Sequence, residues 1–100
     1  MPEKLVVTVE RQIAALMPRF LAHRAEDVTR LRAALACADF ELIRATAHRM
    51  KGSGGAYGFP DISRLGAALE ECARVRDAAA IAGLVASLEA YLGRIEVKYE

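Results

Sequence analysis

Apolar residues three and four positions apart recur in four successive blocks of this chain, a spacing that belongs to amphipathic helices. Leu21, Val28, Leu31 and Leu35 keep that period in the first long block, and Phe40, Ile43, Ala47, Met50, Gly54 and Tyr57 in the second. Ile62, Leu65, Leu69, Cys72 and Ala73 carry the third, and Ile81, Leu84, Val85, Leu88, Tyr91, Leu92, Ile95 and Tyr99 the fourth. The breaks carry helix punctuation. Pro18 opens the first long helix after a short one ending by Met17, Asp39 is a good N-cap, and Glu41 in the next turn suits the dipole. Gly58-Phe59-Pro60 interrupts the chain, Asp61 is the expected cap of the third helix, and Asp77 restarts the last. Connections this short make neighbouring helices antiparallel. The expected fold is therefore all-α: an antiparallel up-down four-helix bundle with a short extra N-terminal helix. Residues 1–100 form one domain, with an arm over 1–9 and the bundle over 10–100. The β-branched run Leu5-Val6-Val7-Thr8-Val9 reads as an extended arm, with no partner strand evident elsewhere.

Composition excludes several functions. Hydrophobic residues make up 54%, which argues against a disordered tail, and a net charge of +1 gives no support to nucleic-acid binding. No apolar run reaches the roughly 18 residues of a membrane span, and Met1-Pro2-Glu3-Lys4 opens no secretory segment, so a cytoplasmic protein is expected. Cys37 and Cys72 have neither metal-ligand spacing nor a disulfide framework, and no metal site is expected.

One stretch breaks the helical rules. His48-Arg49-Met50-Lys51-Gly52-Ser53-Gly54-Gly55 places three glycines within four residues, directly after a histidine and a lysine. If the helix runs through, Gly52, Gly54 and Gly55 together cost about 3 kcal/mol relative to alanine. Local rules usually fail where function intervenes. At about 100° per residue, His48 stands roughly 130° from the middle of the apolar stripe, on the outward side with Glu41, Arg44, Gly52 and Gly55. A core histidine does not fit that phase. An ordinary solvated histidine leaves the glycines beyond it unexplained.

Phosphoryl transfer through an imidazole needs this arrangement. Neutral histidine is a usable nucleophile near pH 7, and it must be exposed if its donor is another protein's side chain. Lys51, on the adjoining strip, can offset charge on the transferred group. Gly52 and Gly55 remove side chains that would stand beside the ring, so that a partner can approach closely.

His48-x-x-Lys51-Gly52 followed by Gly58-Phe59 is similar to the signature of histidine-containing phosphotransfer (HPt) domains, and the likeness extends from Pro18-Arg19-Phe20-Leu21 through Leu69-Glu70 to the last helix. The resemblance implies a phosphoryl carrier of a two-component phosphorelay rather than an enzyme with its own ATP site. It implies His48 as phosphoacceptor through Nε2, Lys51 as the phosphate-neighbouring cation, Gly52 as the clearance residue and Gly58 as a turn or packing glycine. It implies a response-regulator receiver domain, a histidine kinase or both as partners, and no cofactor of its own, with magnesium belonging to the receiver. In one branch of the family a glutamate on the following helix orients the ring through Nδ1, which would assign Glu70. The competing reading is a surface pair of Glu70 with Arg74 at i,i+4. Glu71 is expected to face solvent. Arg44 and Ser53 join Gly52 and Gly55 as candidate docking residues; Arg44 and Arg49 are candidates to steer an acidic receiver pocket by long-range attraction, against a solvated basic face, which is the favoured reading for Arg49, and His23 reads as a surface histidine. A monomer is expected, because one exposed face must stay available. Its length suits a stand-alone protein, although a domain excised from a hybrid kinase would look similar. The alternative function is a helical interaction adaptor without phosphotransfer; a metal or haem bundle using His48 and His23 lacks inward-facing ligands.

Overall fold

A computed structural model describes residues 5–9 and 11–99. A 3-10 helix over Arg11–Leu16 leads into four α-helices: α1 (Met17–Ala36), α2 (Phe40–Ala56), α3 (Pro60–Arg74) and α4 (Ala78–Arg94). Helix α1 packs on α2 and α4, and α3 packs on the same two, so the four enclose one core. Met17, Leu31, Ile43, Met50, Ile62, Leu69, Ile81 and Leu88 are wholly buried there. Each contributes roughly 1.5–3 kcal/mol by leaving water. Phe59, also fully buried, stacks on Phe20 with ring centroids 5.1 Å apart.

The three helix connections share one construction. Each has three residues, Cys37-Ala38-Asp39, Tyr57-Gly58-Phe59 and Val75-Arg76-Asp77, whose middle member takes a positive φ of 54°, 82° and 58° respectively. In each, the third residue's N–H bonds back to a carbonyl five residues earlier: Asp39 to Ala34, Phe59 to Gly54, Asp77 to Cys72. These are Schellman closures, which satisfy the last carbonyls of one helix while the third residue caps the next. Asp39 and Asp77 complete the hand-over by accepting the N–H of Leu42 and Ala80, each at 3.1 Å. Only the middle connection uses glycine at the left-handed position, where an L-residue costs roughly 1–2 kcal/mol.

Three local expectations need correction. Residues Leu5–Val9 do have a partner: they form β1, which pairs in parallel with β2 (Ile95–Tyr99), Leu5 beside Ile95 and Val9 beside Tyr99. Helix α4 accordingly ends at Arg94, and Ile95 and Tyr99 belong to this strand rather than to the helical stripe. The alternation of Ile95, Val97 and Tyr99 with Glu96 and Lys98 is a strand pattern, visible only once a partner exists. Asp61 does not cap α3. Phe59 holds that position, Pro60 is the first helical residue, and Asp61 sits in the first turn, where its charge suits the dipole. The helix start expected near Glu10, and the residues Met1 to Lys4, lie outside the described residues.

The glycine-rich stretch is helical throughout α2, and its glycines do different things. A Cβ on Gly54 would stand 2.7 Å from the Ser63 backbone nitrogen, and one on Gly66 of α3 would stand 2.7 Å from that of Lys51. The two helices therefore touch backbone to backbone at two points. Gly52 is different, with no atom within 4 Å of where its Cβ would be.

Candidate functional site

The close crossing of α2 and α3 determines what meets beside His48. Gly66 lets α3 rest against the backbone of Ala47 and Lys51. One turn further along α3, Glu70 then reaches both side chains that flank this contact on α2. Its Oε2 lies 2.9 Å from His48 Nδ1, and its Oε1 accepts from Lys51 Nζ at 3.1 Å. The His48 side chain is 63% exposed, Lys51 is 45% exposed and Glu70 24%.

The electrostatics fix the proton. The hydrogen bond from Lys51, supported by His48, holds the Glu70 carboxyl below its ordinary value against the opposing effect of desolvation. Glu70 is thus ionised at neutral pH and can only accept. Nδ1 must then carry the ring proton, which leaves the Nε2 lone pair of the neutral ring directed away from Glu70. Among the described residues Nε2 has no hydrogen-bond partner.

Glu70 does not pair with Arg74. Arg74 instead grips Glu71, donating from Nε to Oε2 at 3.0 Å and from Nη2 to Oε1, and this lowers the Glu71 carboxyl. The pair is exposed, as expected for Glu71. Arg44, one turn before His48, is bound to Glu41 rather than to the site, with Nε 3.2 Å from Oε2 and a second bond from Nη2. Its hydrogen bond and charge lower Glu41, and Glu41 raises Arg44.

Gly52 and Gly55 are both exposed beside the ring, and a Cβ on Gly55 would make an ordinary 3.4 Å contact with Ser63 Oγ. Ser53 lies on the other flank of α2, where Arg24 of α1 donates to its Oγ. Gly58 occupies the left-handed turn that follows. His23 is exposed on α1, and among the described residues no His, Cys, Asp or Glu cluster could hold a metal ion.

Two structural features of these helices were not legible in advance. Gly66 sits mid-helix, where a glycine costs roughly 1 kcal/mol, and that cost was the available signal. Asp27 is 5% exposed and is held by Arg24 (Nε to Oδ2, 2.8 Å) and Arg30 (Nη1 to Oδ1, 2.9 Å). Burial pushes its carboxyl up, opposed by the charges of Arg24, Arg30 and Arg49. Its i,i+3 relation to both arginines was visible, but its burial was not.

The four-helix bundle thus carries on its surface an exposed histidine hydrogen-bonded to a carboxylate that a lysine also binds. The family model for the Hpt domain matches residues 15–97, and the chain belongs to that family. Membership implies histidine phosphotransfer in two-component signalling, by a carrier rather than a kinase. Comparison with curated proteins and with solved structures yields no match.

Proposed function

We propose that this domain accepts and donates a phosphoryl group on His48 Nε2, in exchange with the aspartate of a receiver domain or with a histidine kinase. The observation that carries the reading is the tie from His48 Nδ1 to Glu70 at 2.9 Å on a ring that stays 63% exposed. Glu70 holds the Nδ1 proton, so Nε2 offers its lone pair to phosphorus. The N–P bond forms as the bond from phosphorus to the aspartyl oxygen breaks, and the aspartate leaves as a carboxylate. The Nδ1 proton stays on the ring, where Glu70 stabilises the cationic phosphoimidazole. Lys51, already beside Glu70, offsets charge on the phosphoryl oxygens.

Gly52 and Gly55 give the partner clearance, with Arg44 and Ser53 at the margins of the contact. The bundle runs up and down, each helix antiparallel to the next, because three-residue connections leave no length for a crossover. It works as one monomeric domain in the cytoplasm. No described helix is long and apolar enough to cross a membrane.

The test is incubation with a receiver domain phosphorylated by acetyl phosphate. Acid-labile, alkali-stable label on the wild type and none on His48→Gln is the expected result. No label, under conditions where the receiver itself turns over, would favour the adaptor reading instead.

A further inference from the structure

Ser63, Gly66 and Glu70 are spaced three and four residues apart and form one stripe of α3 turned toward α2. All three act on the same residue. Glu70 accepts from Lys51 Nζ at 3.1 Å. Gly66 brings α3 against the Lys51 backbone, where a Cβ would stand 2.7 Å from the nitrogen and 3.0 Å from Cα. Ser63 completes the set, with its Oγ donating to the Lys51 carbonyl oxygen. The place of Ser63 is itself fixed, because its backbone nitrogen packs on Gly54, 2.7 Å from where a Cβ there would stand. The ammonium, the amide and the carbonyl of Lys51 are thus each met by α3.

The carbonyl is where an anchor is most needed. In an α-helix it serves the N–H four residues on, which here belongs to Gly55. That turn contains Gly52, Gly54 and Gly55 and is the part of α2 with the poorest helix propensity. A carbonyl oxygen has a second lone pair, so a hydroxyl from α3 can hold it without placing a side chain on the bare outer surface. The preceding carbonyl, of Met50, receives a longer bond from the Ser53 hydroxyl at 3.4 Å, and Arg24 of α1 donates to that hydroxyl in turn. The glycine-weakened turn is therefore pinned from both neighbouring helices, at two successive carbonyls.

Lys51 has two calls on its ammonium. It is bound to Glu70 in the free protein, and it must reach the phosphoryl oxygens during transfer. Its flexible stem is 45% exposed, so the only part that can be held through both states is its backbone. We infer that Ser63 is a positioning residue for Lys51: its hydroxyl fixes the backbone from which the ammonium moves between Glu70 and a phosphoryl group on His48. The inference rests on the phosphotransfer reading above and adds a residue to its machinery. Ser63 bonds to the Lys51 carbonyl and not to the ring, so it acts through the lysine.

The test uses phosphoramidate, a small donor whose phosphoryl group passes to the ring as ammonia leaves, so that no protein docking enters the rate. Ser63→Ala should label His48 about fivefold more slowly than the wild type, the scale of one lost hydrogen bond. Ser63→Thr, which keeps the hydroxyl, should stay within about twofold. Lys51→Met should be slow, and Lys51→Met/Ser63→Ala should be no slower, because the serine has nothing left to position. Nitrogen NMR of Ser63→Ala should show the same Nδ1–H form of the ring as the wild type, since the bond from His48 to Glu70 is untouched. Equal labelling of Ser63→Ala and wild type overturns the proposal, as does a Ser63→Thr as slow as Ser63→Ala. A further slowing of Lys51→Met by Ser63→Ala, or a change of tautomer, also overturns it, because either would mark a general effect on the fold. These outcomes reject the role of Ser63 and keep the reactivity of His48. A wild type that takes no label rejects the phosphotransfer reading itself.

Discussion

Gly66→Ala is the substitution that most directly probes how the site is held. One methyl added there would meet the Lys51 backbone nitrogen at 2.7 Å, the Ala47 carbonyl oxygen at 2.8 Å and Lys51 Cα at 3.0 Å. All three atoms are backbone, so no side chain can swing aside. Ordinary contact begins at 3.4 Å, and the helices must therefore part by about 0.7 Å at this point. Overpacking of this kind costs roughly 1–3 kcal/mol. Replacing a mid-helix glycine returns about 1 kcal/mol of propensity. The expected net effect is a loss of up to about 2 kcal/mol in urea denaturation, a sizeable part of a typical 5–15 kcal/mol. The same displacement acts on the bonds from Glu70 to His48 and Lys51, at 2.9 and 3.1 Å, because the pushed residues are their neighbours on α2. Nitrogen NMR of the imidazole should show the Nδ1–H form dominant in the wild type and a mixture of tautomers in the variant. Gly83→Ala on α4, where a methyl meets nothing within 4 Å, is the comparison and should gain about 0.5–1 kcal/mol. A Gly66→Ala protein at least as stable as the wild type, with its tautomer unchanged, would refute the backbone-contact argument.

Gly52→Ala should behave in the opposite way: with open space around its Cβ, it should raise stability by about 0.5–1 kcal/mol in urea while slowing transfer from a phosphorylated receiver. Stabilisation without slower transfer would show that the bare helix surface serves no partner. The pH dependence follows from Glu70. Because its folded value lies below the ordinary 4.5, its contribution is present above that pH and fades as pH falls through the depressed value. The wild type should keep a higher urea midpoint than Glu70→Gln from neutral pH to 4.5 and lose that advantage only below it. Loss of the advantage at a higher pH would mean that the carboxylate is not held as described.

How far the sequence foretold this arrangement depended on the range of each interaction. The helices, and the caps at Asp39 and Asp77, are local features, set by neighbours within four residues. The outward phase of His48 follows from the period of a single helix. The choice of Glu70 between His48 and Arg74 does not. It depends on how closely α3 approaches α2, which is decided by the absence of a side chain at Gly66. Likewise the i,i+3 spacing of Arg24 and Asp27 carries no sign that the fold buries the carboxylate to 5% exposure. The pairing of Leu5–Val9 with Ile95–Tyr99 joins segments at opposite ends of the chain, and periodicity within either one carries no trace of the other. Both glycine-rich contacts and the strand pair are tertiary facts that local propensity cannot encode.

The three helix connections have a consequence for how the module meets its partners. With three residues apiece, each stitched back to the preceding helix and handing over at once to the next, they provide no slack for a hinge. Reactive ring, carboxylate and ammonium are already assembled before any encounter, so little ordering entropy remains to be lost on association. On the phosphotransfer proposed above, a site assembled in advance would serve donor and acceptor alike without rearranging between them.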